Sequence, residues 1–154
     1  MNLLLWRHAE AEDGYPDLLR KLTPRGEQQA RQIAEWIKTN APADLRILVS
    51  PATRCQQTAS ALGLPFETDP RLGTGEGVAE LLAAIEWNDE VTGTALTDQR
   101  TVLAVGHQPT LGQTAARLAG HEAGQGFPKG TLLWLTLYLG APAAVHAFIT
   151  PNIE

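Results

Sequence analysis

The sequence has a single cysteine, Cys55, so no disulfide can form within the chain. A reducing compartment fits that count. Long apolar runs are also absent. The N-terminal run extends only from Leu3 to Trp6 before Arg7 interrupts it, too short for the hydrophobic region of a signal peptide. Nothing approaches the roughly 18 apolar residues that a membrane span needs. Basic runs are missing, and the formal net charge is −5 at pH 7. Proteins that grip a nucleic-acid backbone usually gather Lys and Arg on one face. The expectation is therefore a cytoplasmic monomer with neither a nucleic-acid nor a membrane partner.

Several site motifs are missing as well. There is no Gly-Lys-Ser/Thr phosphate loop. Gly73-x-Gly75-x-Gly77 has the wrong spacing for a dinucleotide fingerprint and does not join a strong strand to a helix. His121-Glu122 lacks the second histidine of a zinc-protease motif, and no other ligand cluster suggests a metal. A Cys-x5-Arg phosphatase loop would need arginine where Ala61 stands, so Cys55 reads as a small packed residue. No cofactor is expected.

The chain has 154 residues, 44% of them apolar and 19% charged, which suits one domain spanning 1–154. There is no internal repeat. Apolar runs alternate with helix-like stretches, the pattern of an α/β domain. Strands are expected at Leu3 to Arg7, Arg46 to Val49, Thr101 to Val105, Thr131 to Leu139 and Val145 to Thr150. Gly140 to Ala144 is short enough for a hairpin, which would give an antiparallel edge. Thr23-Pro24 and Ser50-Pro51 both look like a capping hydroxyl followed by proline at the first helical position. The first helix carries Ala30, Ile33, Ala34 and Ile37 as one apolar stripe. The second runs to about Leu62. Val78 to Trp87 has helical spacing, and a further helix starts near Pro109 and ends near Gly120. Trp6, Trp36, Trp87 and Trp134 all fall at core positions.

Three segments share one layout, an apolar strand followed by a sharp turn with a polar or cationic residue. They end in Trp6-Arg7-His8, in Val49-Ser50-Pro51-Ala52-Thr53-Arg54, and in Val105-Gly106-His107. Ligand sites of open α/β sheets lie outside the carboxyl ends of the strands, which brings Arg7, His8, Arg54 and His107 to one rim. Two arginines and two histidines repel one another unless an anion joins them. A phosphoryl group does so, since its oxygens accept bidentate bonds from guanidinium groups. Arg54 falls in a first helical turn, where the macrodipole disfavours a cation by roughly 0.3–1 kcal/mol unless an anion offsets it.

These segments resemble the histidine phosphatase superfamily, and its small SixA-type phosphohistidine phosphatases in particular. The matching stretches are Leu5-Trp6-Arg7-His8-Ala9-Glu10-Ala11, Leu22-Thr23-Pro24-Arg25-Gly26, Val49 through Ala59, and Val105-Gly106-His107-Gln108-Pro109. Phe127-Pro128-Lys129-Gly130 is similar to the segment that precedes the family's last strands. Ala9 stands where the commonest motif has glycine. The resemblance implies a phosphoglycerate mutase-like α/β/α sandwich, with a mostly parallel sheet and an antiparallel edge. It implies that His8 attacks phosphorus and that Arg7, Arg54 and His107 hold the phosphoryl oxygens.

An attacking imidazole must be neutral, and Arg7 and Arg54 would push the His8 pKa down. Glu76 is the candidate proton donor, with Glu10 and Glu12 as alternatives. A protonated imidazole leaves far more readily than an alkoxide, so a phosphohistidine phosphatase could work with a weak acid or none. His121 and His146 read as incidental, and Arg20 and Arg25 as solvated. The stretches Glu10 to Leu22 and Gly63 to Gly75 are too short for a lid. An open groove suits a phosphorylated side chain on another protein, such as a histidine-phosphotransfer domain in signal transduction. The competing expectations are a phosphatase for small phosphomonoesters and a non-catalytic phosphate-binding module. A mutase fits less well, because it needs a sheltered site.

Overall fold

Runs such as Leu3-Leu4-Leu5-Trp6 and Val102-Leu103-Ala104-Val105 are apolar at every position, as expected of strands covered on both faces. The structure, a computed structural model describing residues 1–88 and 98–153, buries both runs completely. The elements in chain order are β1 (Asn2–Arg7), α1 (Pro24–Asn40), β2 (Arg46–Val49), α2 (Thr53–Ser60), β3 (Glu67–Thr68), α3 (Val78–Ala84), β4 (Thr101–Gly106), α4 (Thr110–Ala119), β5 (Leu132–Tyr138) and β6 (Ala141–Ile149). The six strands form one sheet in the order β3-β2-β4-β1-β5-β6. The first four are mutually parallel, while β5 runs antiparallel to β1 and β6 antiparallel to β5.

Successive strand side chains point to opposite faces, and the two cores follow that rule. Leu3 and Leu5 of β1 join Val102 and Ala104 of β4 beneath Leu81, Leu111 and Leu118 of α3 and α4. Leu4 and Trp6 join Leu103 and Val105 on the other face, against Ile33, Ile37, Cys55 and Ala59 of α1 and α2. The result is the expected three-layer α/β/α sandwich with an antiparallel edge. Trp6, Trp87 and Trp134 are buried, and half-buried Trp36 packs edge-on against Trp134 at 6.1 Å.

Local chemistry explains the boundaries. Thr23 caps α1 by accepting from the Gly26 amide at 2.9 Å, with Pro24 at the first helical position. Ser50-Pro51 does not start α2, which begins two residues later with Ala52 at its N-cap. The Ser50 hydroxyl is buried instead against His107. The strand β3 was not expected, because its two residues are exposed and carry no apolar pattern. The α3 helix stops at Ala84, where Ile85 and Glu86 form a turn. The hairpin between β5 and β6 is tighter than expected. Gly140, at φ +73°, makes the reversal immediately after Leu139, so β6 starts at Ala141 and not at Val145. Among the described residues no helix is long and apolar enough to cross a membrane.

Candidate active site

The parallel register brings the two histidines together. Arg7, the last residue of β1, pairs with Gly106, the last of β4. His8 and His107 therefore leave adjacent strands side by side, with ring centroids 5.3 Å apart. On the other flank of β4, Val49 pairs with Val105, so the chain beyond β2 delivers Arg54 from the first turn of α2. All four residues line one cavity of about 400 Å³, together with Arg20, Glu76, Gln108, Thr110, Gln113 and Lys129. Cavities of about 510 and 570 Å³ lie at the opposite end of the sheet, around Trp87 and Leu137 and around Met1 and Asp98. Neither is lined by any histidine. Chemistry, not volume, selects the site.

Hydrogen bonds commit one nitrogen of His8 and both nitrogens of His107. His8 Nδ1 lies 2.8 Å from the Ala9 carbonyl oxygen. A carbonyl can only accept, so Nδ1 carries the hydrogen and Nε2 keeps the lone pair. His107 Nδ1 is 3.5 Å from Arg54 Nη2 and its Nε2 is 2.8 Å from Ser50 Oγ. A guanidinium has no acceptor, so His107 accepts at Nδ1 and donates from Nε2. Burial pushes the His8 pKa down to about 3. The His107, Arg54 and Arg7 charges press the same way, against the hydrogen bond to Ala9. The expected direction is right, although burial exceeds the two arginines as a cause. The His107 pKa falls to about 4, through burial first and Arg54 next, with Asp17 offsetting part. Both rings are neutral near pH 7.

The arginines are anchored but not saturated. Arg7 Nη1 donates to the Phe127 carbonyl at 2.7 Å, so the Phe127–Gly130 segment braces the first cation. The same segment closes on His8, whose carbonyl accepts from the Gly130 amide at 2.9 Å. Arg54 is buried, and its Nη1 and Nη2 donate to the backbone oxygen and carboxylate of Asp17 at 2.9 and 3.1 Å. Arg7 and Arg54 each keep a buried Nε without an acceptor. Thr58 ties the two sides, accepting from the Ala9 amide and donating to the Arg54 carbonyl. Cys55 is packed against this cluster, and burial pushes its thiol up to about 12.

The acidic candidates separate. Glu76 stands exposed on the cavity lining, its carbonyl accepting from Thr110 Oγ1 at 2.7 Å. Glu10 and Glu12 do not line the cavity; Glu10 Oε2 instead accepts from Thr23 Oγ1 at 2.7 Å. Arg25 donates to the Ile153 carbonyl at the surface, and His121 and His146 are exposed. Arg20 corrects the expectation of a solvated residue. Its Nε donates to Asp17 Oδ1 at 3.1 Å and its side chain lines the cavity. Asp17 and Ser50 as partners of Arg54 and His107, and Lys129 on the lining, were not expected. The Asp-x-x-Arg spacing of Asp17 and Arg20, one short helical turn, is the signal that could have found the first. Among the described residues no group of three or more His, Cys, Asp or Glu could hold a metal ion.

A neutral imidazole that shares one cavity with two arginines, at the carboxyl ends of parallel strands, is an arrangement whose chemistry suits an oxyanion. The sequence profile of the Histidine phosphatase superfamily (branch 1) matches residues 3–91. Phosphohistidine phosphatase SixA of Escherichia coli (strain K12) is 30% identical over 146 residues, covering 89% of this chain and 86% of that protein. The phosphohistidine phosphatase SixA homolog of Haemophilus influenzae is 31% identical over 145 residues, covering 87% and 88%. The solved structure of the protein histidine phosphatase SixA complexed with tungstate superposes with a TM-score of 0.81 at 28% identity, covering 98% of this chain and 97% of that one. The chain belongs to the histidine phosphatase superfamily, and it is a phosphatase, a hydrolase.

Proposed function

We propose that the protein is a phosphohistidine phosphatase that removes the phosphoryl group from a histidine on another protein through a covalent phospho-His8 intermediate. The observation that carries this reading is the His8 tautomer. With Nδ1–H held by the Ala9 carbonyl, Nε2 is an unprotonated nucleophile inside a cationic cavity. Arg7 and Arg54 bind the phosphoryl oxygens, and His107 joins them once the arriving anion draws a proton onto its Nδ1. Tungstate, the group bound in the similar SixA structure, is itself a tetrahedral oxyanion of phosphate-like shape.

The bonds balance without an added co-reactant. His8 Nε2 forms a bond to phosphorus while the substrate's phosphorus–nitrogen bond breaks. The substrate imidazole leaves neutral when its other nitrogen is already protonated, which its ordinary pKa near 6.5 allows. Water then attacks phosphorus, the Nε2–phosphorus bond breaks, and His8 recovers its lone pair. Both water hydrogens leave on the phosphate. An ester oxygen has no such internal relief, and Glu76, on the cavity lining, would be its proton donor.

The test compares a histidine-phosphorylated protein with aryl and alkyl phosphates, using His8→Ala as the blank. The phosphohistidine reading expects wild-type turnover of the protein, none by His8→Ala, and acid-labile phosphate on His8 after a denaturing quench. Glu76→Gln should slow the esters and spare the phosphohistidine protein. Turnover of esters alone would favour a phosphomonoester phosphatase. Oxyanion binding without any turnover would leave a binding module.

A further inference from the structure

Large hydrophobic side chains left in water are few among the described residues, and three of them fall within five positions. Tyr15 is 96% exposed, Leu18 49% and Leu19 62%. The others, Leu64, Tyr138, Val145 and Phe148, lie elsewhere in the chain. The stretch is not a loose end. Glu12 N donates to the Lys21 carbonyl at 2.8 Å, and Ala11 bridges Leu22 in an antiparallel pair. Arg20 Nη1 donates to the Glu12 carbonyl at 3.0 Å. On the site side, Asp17 holds Arg54 through both its backbone oxygen and its carboxylate, and Arg20 lines the cavity. One short segment thus turns Asp17 and Arg20 toward the site and leaves Tyr15, Leu18 and Leu19 in solvent beside it.

Exposed apolar side chains clustered at the rim of a site mark a contact surface. A small phosphate ester seated in a cavity of about 400 Å³ has no use for them. A macromolecule does, because its surface must lie against the rim while one side chain enters. We propose that Tyr15, Leu18 and Leu19 form the docking surface for the protein that carries the phosphorylated histidine, meeting apolar residues that flank that histidine. The proposal rests on the phosphohistidine reading above. Its continuity with the site is covalent, since Asp17 and Arg20 belong to the same segment. If the phosphorylated histidine sits on a helix, side chains three and four residues away share its face. Those are the positions expected to meet Leu18 and Leu19.

The experiment follows two probes, a histidine-phosphorylated protein and free phosphohistidine, with wild type and the triple variant Tyr15→Ser/Leu18→Ser/Leu19→Ser. Equal denaturation midpoints confirm that the variant folds, and the single variants serve if it does not. The expected result is a KM for the protein raised on the order of tenfold, with free phosphohistidine changed by less than about twofold. Equal changes on both probes, or none on either, overturn the docking surface while the substrate reading stands. Wild-type turnover of neither probe sinks the substrate reading and the docking surface with it. A wild-type self-association abolished by Leu19→Ser would assign the patch to a second copy of the chain and overturn the proposal.

Discussion

A histidine ring has two nitrogens, and here the fold commits one on His8 and both on His107. The Ala9 carbonyl fixes His8 as the tautomer with a free Nε2, and Ser50 with Arg54 fixes His107 as an acceptor at Nδ1. The residue that sets the charge balance between them is Asp17. Its carboxylate occupies Arg54 Nη2, so that buried guanidinium is partly neutralised before any outside anion arrives. A second anion at Arg54 meets like-charge repulsion from that carboxylate. Two unit charges 4 Å apart interact by about 4 kcal/mol at an effective dielectric of 20. Asp17 is half in solvent, so screening reduces this to on the order of 1 kcal/mol. Asp17→Asn removes the charge and keeps the Arg54 bond to the residue 17 backbone oxygen. Inorganic phosphate should then bind roughly fivefold tighter, as read by titration calorimetry. Unchanged or weaker binding would show that Asp17 serves only to hold Arg54 in place.

At the scale of elements, the segments before α1 and α2 do different work from what their similar sequences suggest. Thr23-Pro24 is a helix start, whereas Ser50-Pro51 resembles one but gives its hydroxyl to His107. Residue preferences cannot separate the two, because a serine hydroxyl serves a helix amide or an imidazole equally well. The glycine of Leu22-Thr23-Pro24-Arg25-Gly26 has a clear physical reason. A Cβ on Gly26 would lie 2.0 Å from the Glu10 carbonyl oxygen, so only glycine lets the first turn of α1 press against the chain just beyond His8. That carbonyl also accepts from the Thr23 amide, so neither partner is free to move away. Gly26→Ala should therefore destabilise the fold by more than about 2 kcal/mol, a clash far exceeding the ordinary helix preference for alanine. Denaturant unfolding checks this. A gain in stability would mean that α1 can slide away from the Glu10 backbone without loss.

The whole molecule places its two buried imidazoles at the end of a sheet buried on both faces, and that position shapes both legibility and pH response. The strands β1, β2 and β4 were legible because each is an unbroken apolar run ending in a polar turn. Arg7, His8, Arg54 and His107 were legible because those ends share one rim. The Asp17–Arg54 contact was not, since it joins segments far apart in the chain and carries no apolar period, whereas the Arg20–Asp17 pair is local and follows the Asp-x-x-Arg spacing. Burial of two imidazoles has a measurable consequence. Unfolded, each histidine takes a proton as the pH falls through about 6.5; folded, His107 resists to about 4 and His8 to about 3. Between these values the unfolded chain binds more protons, so acid pulls the equilibrium toward unfolding. The two rings add no slope above about pH 7, and below 6.5 they should lower stability by up to roughly 1.4 kcal/mol per pH unit for each ring. Carboxylates held low by arginines, such as Asp69 and Asp98, add their own loss at still lower pH. A phosphate ion that favours protonated His107 should flatten the slope. Denaturant unfolding at pH 7, 6 and 5, with and without saturating phosphate, measures both effects. The double variant His8→Ala/His107→Gln should lose most of the slope above pH 5. If it keeps the full slope, the acid response arises outside the site, and the two rings are not the proton-refusing groups of the fold.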